Sequence, residues 1–141
     1  MDPDNPVVKR CGEGMAVEGS DPVEAKRLFL EAWDLATSDY EACVAAHYVA
    51  RHQDTLQETL RWNQVALERA RASTDPEVGA FLPSLHLNLG KSLEDDGQLA
   101  PARLQYELAR ATVTHLPDGG YRLFVEGGIE RAFERLAAAM A

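Results

Sequence analysis

The chain has 141 residues, 45% of them hydrophobic and 26% charged, which is one domain's worth of sequence with a real core and no compositional bias toward disorder. A formal charge of -9 and the absence of any basic run exclude a reader of nucleic-acid phosphates and favour, if anything, a basic partner. No apolar run approaches the ~20 residues that cross a bilayer. The N-terminal MDPDNPVVKR has no signal segment, so Cys11 and Cys43 are expected as reduced thiols in the cytoplasm.

Residues 1–5 are expected to be a frayed start. Asn5-Pro6 has the form of a helix N-cap followed by proline in the first turn, where the missing N–H leaves no bond unmade. A first helix is predicted from Pro6 to about Glu18. Asp21-Pro22 opens a second in the same way, with Val23, Leu28, Phe29, Ala32, Trp33 and Leu35 as its apolar surface. Thr37-Ser38-Asp39 ends it, and Ser38 or Asp39 can cap a third helix from Tyr40 to about His52, rich in small apolar residues. Asp54 or Thr55 caps a fourth helix through about Arg71, whose Trp62 is either buried against the next repeat, the reading favoured, or an exposed anchor for a partner or for self-association.

Asp75-Pro76-Glu77 reads as a helix start, so the extra residues around Ala72–Leu82 are expected to lengthen the fifth helix, with Pro83 either kinking it or marking its true start. That helix carries Leu85, Leu89, Gly90 and Leu93 and stops at Asp95-Asp96-Gly97, where glycine can take the left-handed conformation. The sixth helix, about Leu99 to Leu116, carries Leu99, Ala102, Tyr106 and Ala109 on one face. After Pro117-Asp118-Gly119-Gly120, a last helix from Tyr121 to about Ala139 is expected to turn Leu123, Phe124, Ile129, Phe133 and Leu136 inward, with Gly127-Gly128 bending or loosening it.

In LHLNLGKSLEDDGQLAPARLQYELAR, residues 85–110, a Leu-Gly pair, a helix-closing Gly and then Ala, an aromatic and Ala follow at fixed offsets. This pattern resembles the tetratricopeptide repeat (TPR), in a small bacterial-type form with a lengthened third repeat. Gly12 and Gly19 repeat the separation of Gly90 and Gly97, and Ala25, Phe29 and Ala32 repeat that of Ala102, Tyr106 and Ala109. The second unit departs from the pattern, with His47 in the place of Gly90 and with Thr59 and Asn63 in the places of Ala102 and Tyr106. The resemblance implies an all-α, right-handed superhelix of three helix-turn-helix pairs, at about 6–37, 40–72 and 76–116, plus a C-terminal capping helix at 119–139. Residues 6–139 would then form a single domain. It further implies that Gly90 lies against Tyr106.

Functionally, the resemblance implies a scaffold that binds a peptide or protein segment in a concave groove lined by the first helix of each pair, without catalysis or cofactor. Its groove-facing positions fall on Glu41, Val44, Tyr48, Arg51 and His52 in the second pair, and on Ser84, Leu87, Lys91, Glu94 and Asp95 in the third. In the first pair they fall on Lys9 and Glu13. Tyr48, Arg51 and His52 combine a stacking ring, a forked donor and a ring with an ordinary pKa of about 6.5, which suits an acidic and apolar ligand. The carboxylate clamp known in this family is not expected, because Glu41, Glu94 and Asp95 would repel a carboxylate.

Two other readings stand beside this one. Cys43 and His47 share a helix face and His86 lies on a neighbouring first helix, so the three are candidate metal ligands or the centre of a small enzyme. No two-residue Cys spacing or His-Glu-x-x-His pattern supports that. Ser84 and His86 point apart on a helix, and no nucleophile elbow or phosphate-cradling loop is present. A structural module that self-associates, as a homodimer, is the second alternative.

Overall fold

Helix starts follow local chemistry. In the computed structural model, which describes residues 2–141, Asn5 caps α1 (Pro6–Val17) by accepting from the N–H groups of Val7 and Val8 at 2.9 and 3.3 Å. Asp21 caps α2 (Pro22–Leu35), Ser38 caps α3 (Asp39–Val49) and Thr55 caps α4 (Leu56–Ala72), each accepting from the N–H three residues on. α5 (Leu82–Asp95) has Pro83 in its first turn. It ends in a Schellman motif: Gly97 sits at φ +80°, its N–H donates to the Glu94 carbonyl at 3.0 Å, and the Gln98 N–H donates to the Leu93 carbonyl at 2.9 Å. α6 (Leu99–Thr112) and α7 (Gly120–Ala139) complete an all-helical chain with no strand among the described residues. No helix among them is long and apolar enough to cross a membrane.

The helices fall into two compact units, one ending at Asp75 and the other beginning at Pro76. In the first, α1 and α2 pack as an antiparallel pair, as do α3 and α4. Gly14 lets them close: a Cβ at that position would lie 2.8 and 2.9 Å from Phe29 Cδ1 and Cζ. Phe29 is fully buried, and its ring stacks on Tyr48 at 5.4 Å and His52 at 5.6 Å, which joins the two pairs. The partners of α1 on α3 advance together, Asn5 with Glu41 and Glu18 with His52, so the two first helices run side by side in the same direction. The second helices meet through Trp33 and Trp62, edge to face at 5.0 Å.

In the second unit Gly90 does what Gly14 does in the first. A Cβ there would lie 2.5 Å from Tyr106 Cε1, and Tyr106 is fully buried. The Tyr106 hydroxyl donates to Glu94 at 2.7 Å, and Arg135 on α7 clamps the same carboxylate with its Nε at 3.0 Å from Oε2. α7 covers the pair through Val125, Ile129, Ala132 and Leu136; of these, Val125 and Ile129 close on Ala109, Val113 and Leu116. The Arg110 guanidinium lies 4.2 Å over the Phe133 ring.

Several expectations change. The close-packing glycine of the first pair is Gly14, since Gly12 has nothing within 4 Å of its would-be Cβ, and Gly19 is not left-handed. The inserted residues form a separate 3-10 turn (Pro76–Ala80) rather than a longer fifth helix, and Pro83 marks the start of α5. The sixth helix gives way to a 3-10 turn at Val113–His115. Leu123 and Phe124 face outward, 69% and 72% exposed, because the stripe Val125, Ile129, Ala132 and Leu136 takes the inner face. Gly128 admits the Leu87 side chain to within 3.2 Å of its would-be Cβ, so it serves close approach of α7 to α5. Val23 and Leu35 are exposed. Trp62 is half-buried, and the ring it meets is Trp33 of the preceding pair. Residues 2–4, expected to fray, make a turn in which Asn5 N–H donates to the Asp2 carbonyl, while Met1 lies outside the described residues.

Candidate functional site

The second pair reverses the steric order of the other two. Where they place glycine on the first helix and an aromatic ring on the second, this pair has His47 on α3 and the buried, smaller Asn63 on α4. Burial pushes the His47 pKa down to about 4, with the nearby Arg51 charge adding to the effect, so the imidazole is neutral near pH 7.

One turn on, Tyr48 on α3 and Arg51 and His52 in the 3-10 turn that follows it (Ala50–His52) lie beside α1, the third helix ending at Val49 rather than at His52. Tyr48 is half-buried on Phe29, and the Arg51 guanidinium lies 5.6 Å from the Tyr48 ring centre. Glu18, at the end of α1, reaches across to both neighbours: its Oε1 is 3.2 Å from Arg51 Nη2 and its Oε2 is 2.7 Å from His52 Nε2. Arg51 remains 45% exposed at the side chain, whereas Glu18 and His52 are at 18%. The arrangement is therefore a zwitterionic, aromatic-based surface rather than a cationic one. Sequence reasoning missed Glu18 because the contact spans 34 residues and the first-pair register was two residues off. With Gly14 as the reference, the position matching Tyr48 is Met15, which is 41% exposed and lies one turn before Glu18.

The remaining groove candidates separate. Val44 is buried, and Glu41 is engaged by Asn5 at 2.7 Å and by the Thr37 N–H at 2.8 Å; the Thr37 and Asn5 hydrogen bonds hold its carboxyl below the ordinary range. Lys9 and Glu13 belong to the displaced register, and Glu13 pairs with Arg10 at 3.3 Å. In the other unit α7 occupies much of the α5 face. Ser84 shares a hydrogen bond with Tyr121 at 2.7 Å, Leu87 packs at Gly128, and Glu94 is held by Tyr106 and Arg135. Burial raises the Glu94 pKa, but the hydrogen bonds from Arg135 and Tyr106 outweigh it and leave the carboxyl below its usual value. Lys91 is exposed and pairs with Asp95 along its own helix. In that unit, then, α7 engages Ser84, Leu87 and Glu94 of the α5 face, while Lys91 and Asp95 stay exposed.

The proposed metal ligands have other occupations. Cys43 is fully buried and burial pushes its thiol up to about 12, as it does for Cys11, so neither is a ready thiolate. His86 is buried and its Nδ1 lies 2.8 Å from Gln105 Oε1. Among the described residues no group of three or more His, Cys, Asp and Glu gathers as a metal would need.

A cleft of about 470 Å³ opens between the end of α2 and the start of α3, lined by Trp33, Thr37, Ser38, Asp39 and Arg69 among others. Arg69 already bridges it, bound to Asp39 at 3.0 Å and lying 5.8 Å over Trp33. Arg69 and Asp39 thus satisfy one another across it. No protein family, curated protein or solved structure matches the chain.

Proposed function

We propose that this chain is a protein-interaction scaffold of the tetratricopeptide type, which holds a peptide or protein segment against the face formed by α1 and α3. Two physical features support the reading. Glycine and a buried aromatic interlock twice, Gly14 with Phe29 and Gly90 with Tyr106, as stacked helix pairs require for close approach. The observation that carries the binding role is the set that α1 and α3 leave accessible side by side: exposed Met15 on α1, half-buried Tyr48 on α3 stacked on Phe29, and exposed Arg51 over Tyr48 in the 3-10 turn after α3.

Met15 and Tyr48 offer an apolar and an aromatic contact, while Arg51 offers a forked donor that a ligand carboxylate takes in competition with Glu18. The ligand that fits is a segment with an apolar or aromatic residue next to an acidic one. Binding assays on an identified partner test this. Tyr48→Ala with Arg51→Ala should abolish capture, and Glu18→Gln should tighten it by releasing Arg51. A partner held equally well by all three proteins would move the site elsewhere.

A further inference from the structure

We propose that the cleft at the C-terminal end of α2 is a second binding site, which takes an arginine side chain of a basic partner segment. This inference lies within the first unit and is independent of the ligand face on α1 and α3. Three helix ends border the cleft: the last turn of α2 with Trp33 and Asp34, the first turn of α3 with Asp39, and the last turn of α4 with Arg69. Its volume of about 470 Å³ falls in the range of small-ligand sites, roughly 300–1,000 Å³.

Two of those ends are electrostatically complete and the third is not. A helix carries partial positive charge at its N-terminus and partial negative charge at its C-terminus. α3 begins with Asp39 and Glu41, and α4 ends with Arg69 and Arg71, so each has the sign its end favours. α2 has no basic residue in its last turn and carries Asp34 there instead, a negative charge on a negative end. Asp34 is exposed and makes no hydrogen bond or ion pair with another described residue. Arg10, which lines a smaller depression together with Asp34 and Leu35, is shared by Glu13 at 3.3 Å and Glu31 at 3.5 Å. The charged groups of the cleft, Asp34, Asp39 and Arg69, sum to -1. A cation brought by a partner balances them, and a chain of -9 draws basic segments toward itself.

Arg69 shows which cation fits. Its guanidinium pairs with Asp39 at 3.0 Å and lies 5.8 Å from the Trp33 ring centre. The cleft therefore already supports both contacts that distinguish a guanidinium from an ammonium group, a forked donor to a carboxylate and a flat cation on an indole. The incoming arginine takes Asp34 in the same manner, beside Ala36 and Ala42, which line the cleft with side chains too small to fill it. Leu35, 45% exposed next to Asp34, offers an apolar contact to the residue adjoining that arginine.

An NMR titration of the full chain with acetyl-Leu-Arg-Gly-amide into the millimolar range tests the proposal, against the same peptide with citrulline, a neutral analogue of nearly the same shape. The expected result is a saturable shift of the Trp33 indole N–H and of the backbone amides of residues 33–39, with roughly tenfold weaker binding of the citrulline peptide, the loss of a charge-assisted hydrogen bond. Asp34→Asn should weaken binding as much. Asp34→Lys should abolish it and yet raise the melting temperature, because it gives the end of α2 the charge that end favours. Glu107→Gln, which removes the same charge from the exposed side of α6, should leave the affinity unchanged, as should Tyr48→Ala with Arg51→Ala, so that this site and the face on α1 and α3 fail separately. Equal binding of the citrulline peptide, an affinity that Glu107→Gln lowers as much as Asp34→Asn does, or shifts that leave out residues 33–39 would overturn the proposal.

Discussion

Two glycines on one helix should respond to the same substitution with opposite signs. Gly14→Ala places a methyl group 2.8 and 2.9 Å from Phe29 Cδ1 and Cζ, well inside ordinary contact distance. The ring cannot retreat, because it is fully buried and stacked against Tyr48 and His52. Overpacking of this kind costs about 1–3 kcal/mol, and the better helix propensity of alanine returns no more than about 1 kcal/mol, so a net loss of about 1–2 kcal/mol is expected. Gly12→Ala adds its methyl group where nothing lies within 4 Å, on an exposed turn. Only the propensity gain remains there, about 0.5–1 kcal/mol of stabilisation. Urea denaturation followed by tryptophan fluorescence is the assay, since Trp33 and Trp62 both report on this unit. The midpoints should move apart by roughly 1 M. Equal shifts, or a loss at Gly12 with no effect at Gly14, would refute the packing of α1 on α2 described above.

Gly90→Ala should be destabilising by a similar amount, and neutral or better in a Tyr106→Leu background, where the ring it would strike is gone; a double-mutant cycle by circular dichroism reads this directly. Arg135→Gln should loosen α7 by about 1 kcal/mol, because it removes the paired donors on Glu94, and amide hydrogen exchange in the C-terminal half of α7 should accelerate. His47 predicts a pH dependence. Its folded pKa lies near 4 against an ordinary value of about 6.5, so below pH 6.5 the unfolded chain takes up the proton first and stability falls as the pH drops toward 4. The loss approaches 1.4 kcal/mol per pH unit, for a total of about 2–3 kcal/mol given the solvent contact this half-buried residue keeps. His47→Gln should flatten the curve between pH 6.5 and about 5, above the ordinary carboxyl value near which Glu41 and Glu94 begin to lose their own contributions.

The caps at Asn5, Asp21, Ser38 and Thr55 and the stop at Gly97 were legible because each is decided within four residues by a side-chain oxygen or a missing Cβ. The Gly90–Tyr106 contact was legible as well, from the glycine-to-aromatic offset that resembles the tetratricopeptide pattern. What eluded the sequence are choices between near-equivalent local options. Gly12 and Gly14 are both glycine, and only the place of the Phe29 ring distinguishes them. On α7 the apolar residues fill more than one stripe, and the inner face goes to Val125, Ile129, Ala132 and Leu136, leaving the larger Leu123 and Phe124 outside. Pro83 satisfied either a kink or a start, and became a start once the 3-10 turn at Pro76–Ala80 absorbed the insertion. For the proposed interaction face, Tyr48 and Arg51 were readable only as positions that the tetratricopeptide resemblance implies, and they do lie together, the guanidinium 5.6 Å from the ring centre. Glu18, which sets the charge they present, was not, since no local pattern announces a contact made by a different helix.

Site-specific photo-crosslinking in native cells tests the central claim most directly, with a benzophenone side chain installed in turn at Met15, at Arg51 and at the exposed Gln64 of α4. The scaffold reading predicts a common adduct from Met15 and Arg51 that Tyr48→Ala diminishes, and none of it from Gln64. An adduct formed at Gln64 and absent at both other positions would contradict it.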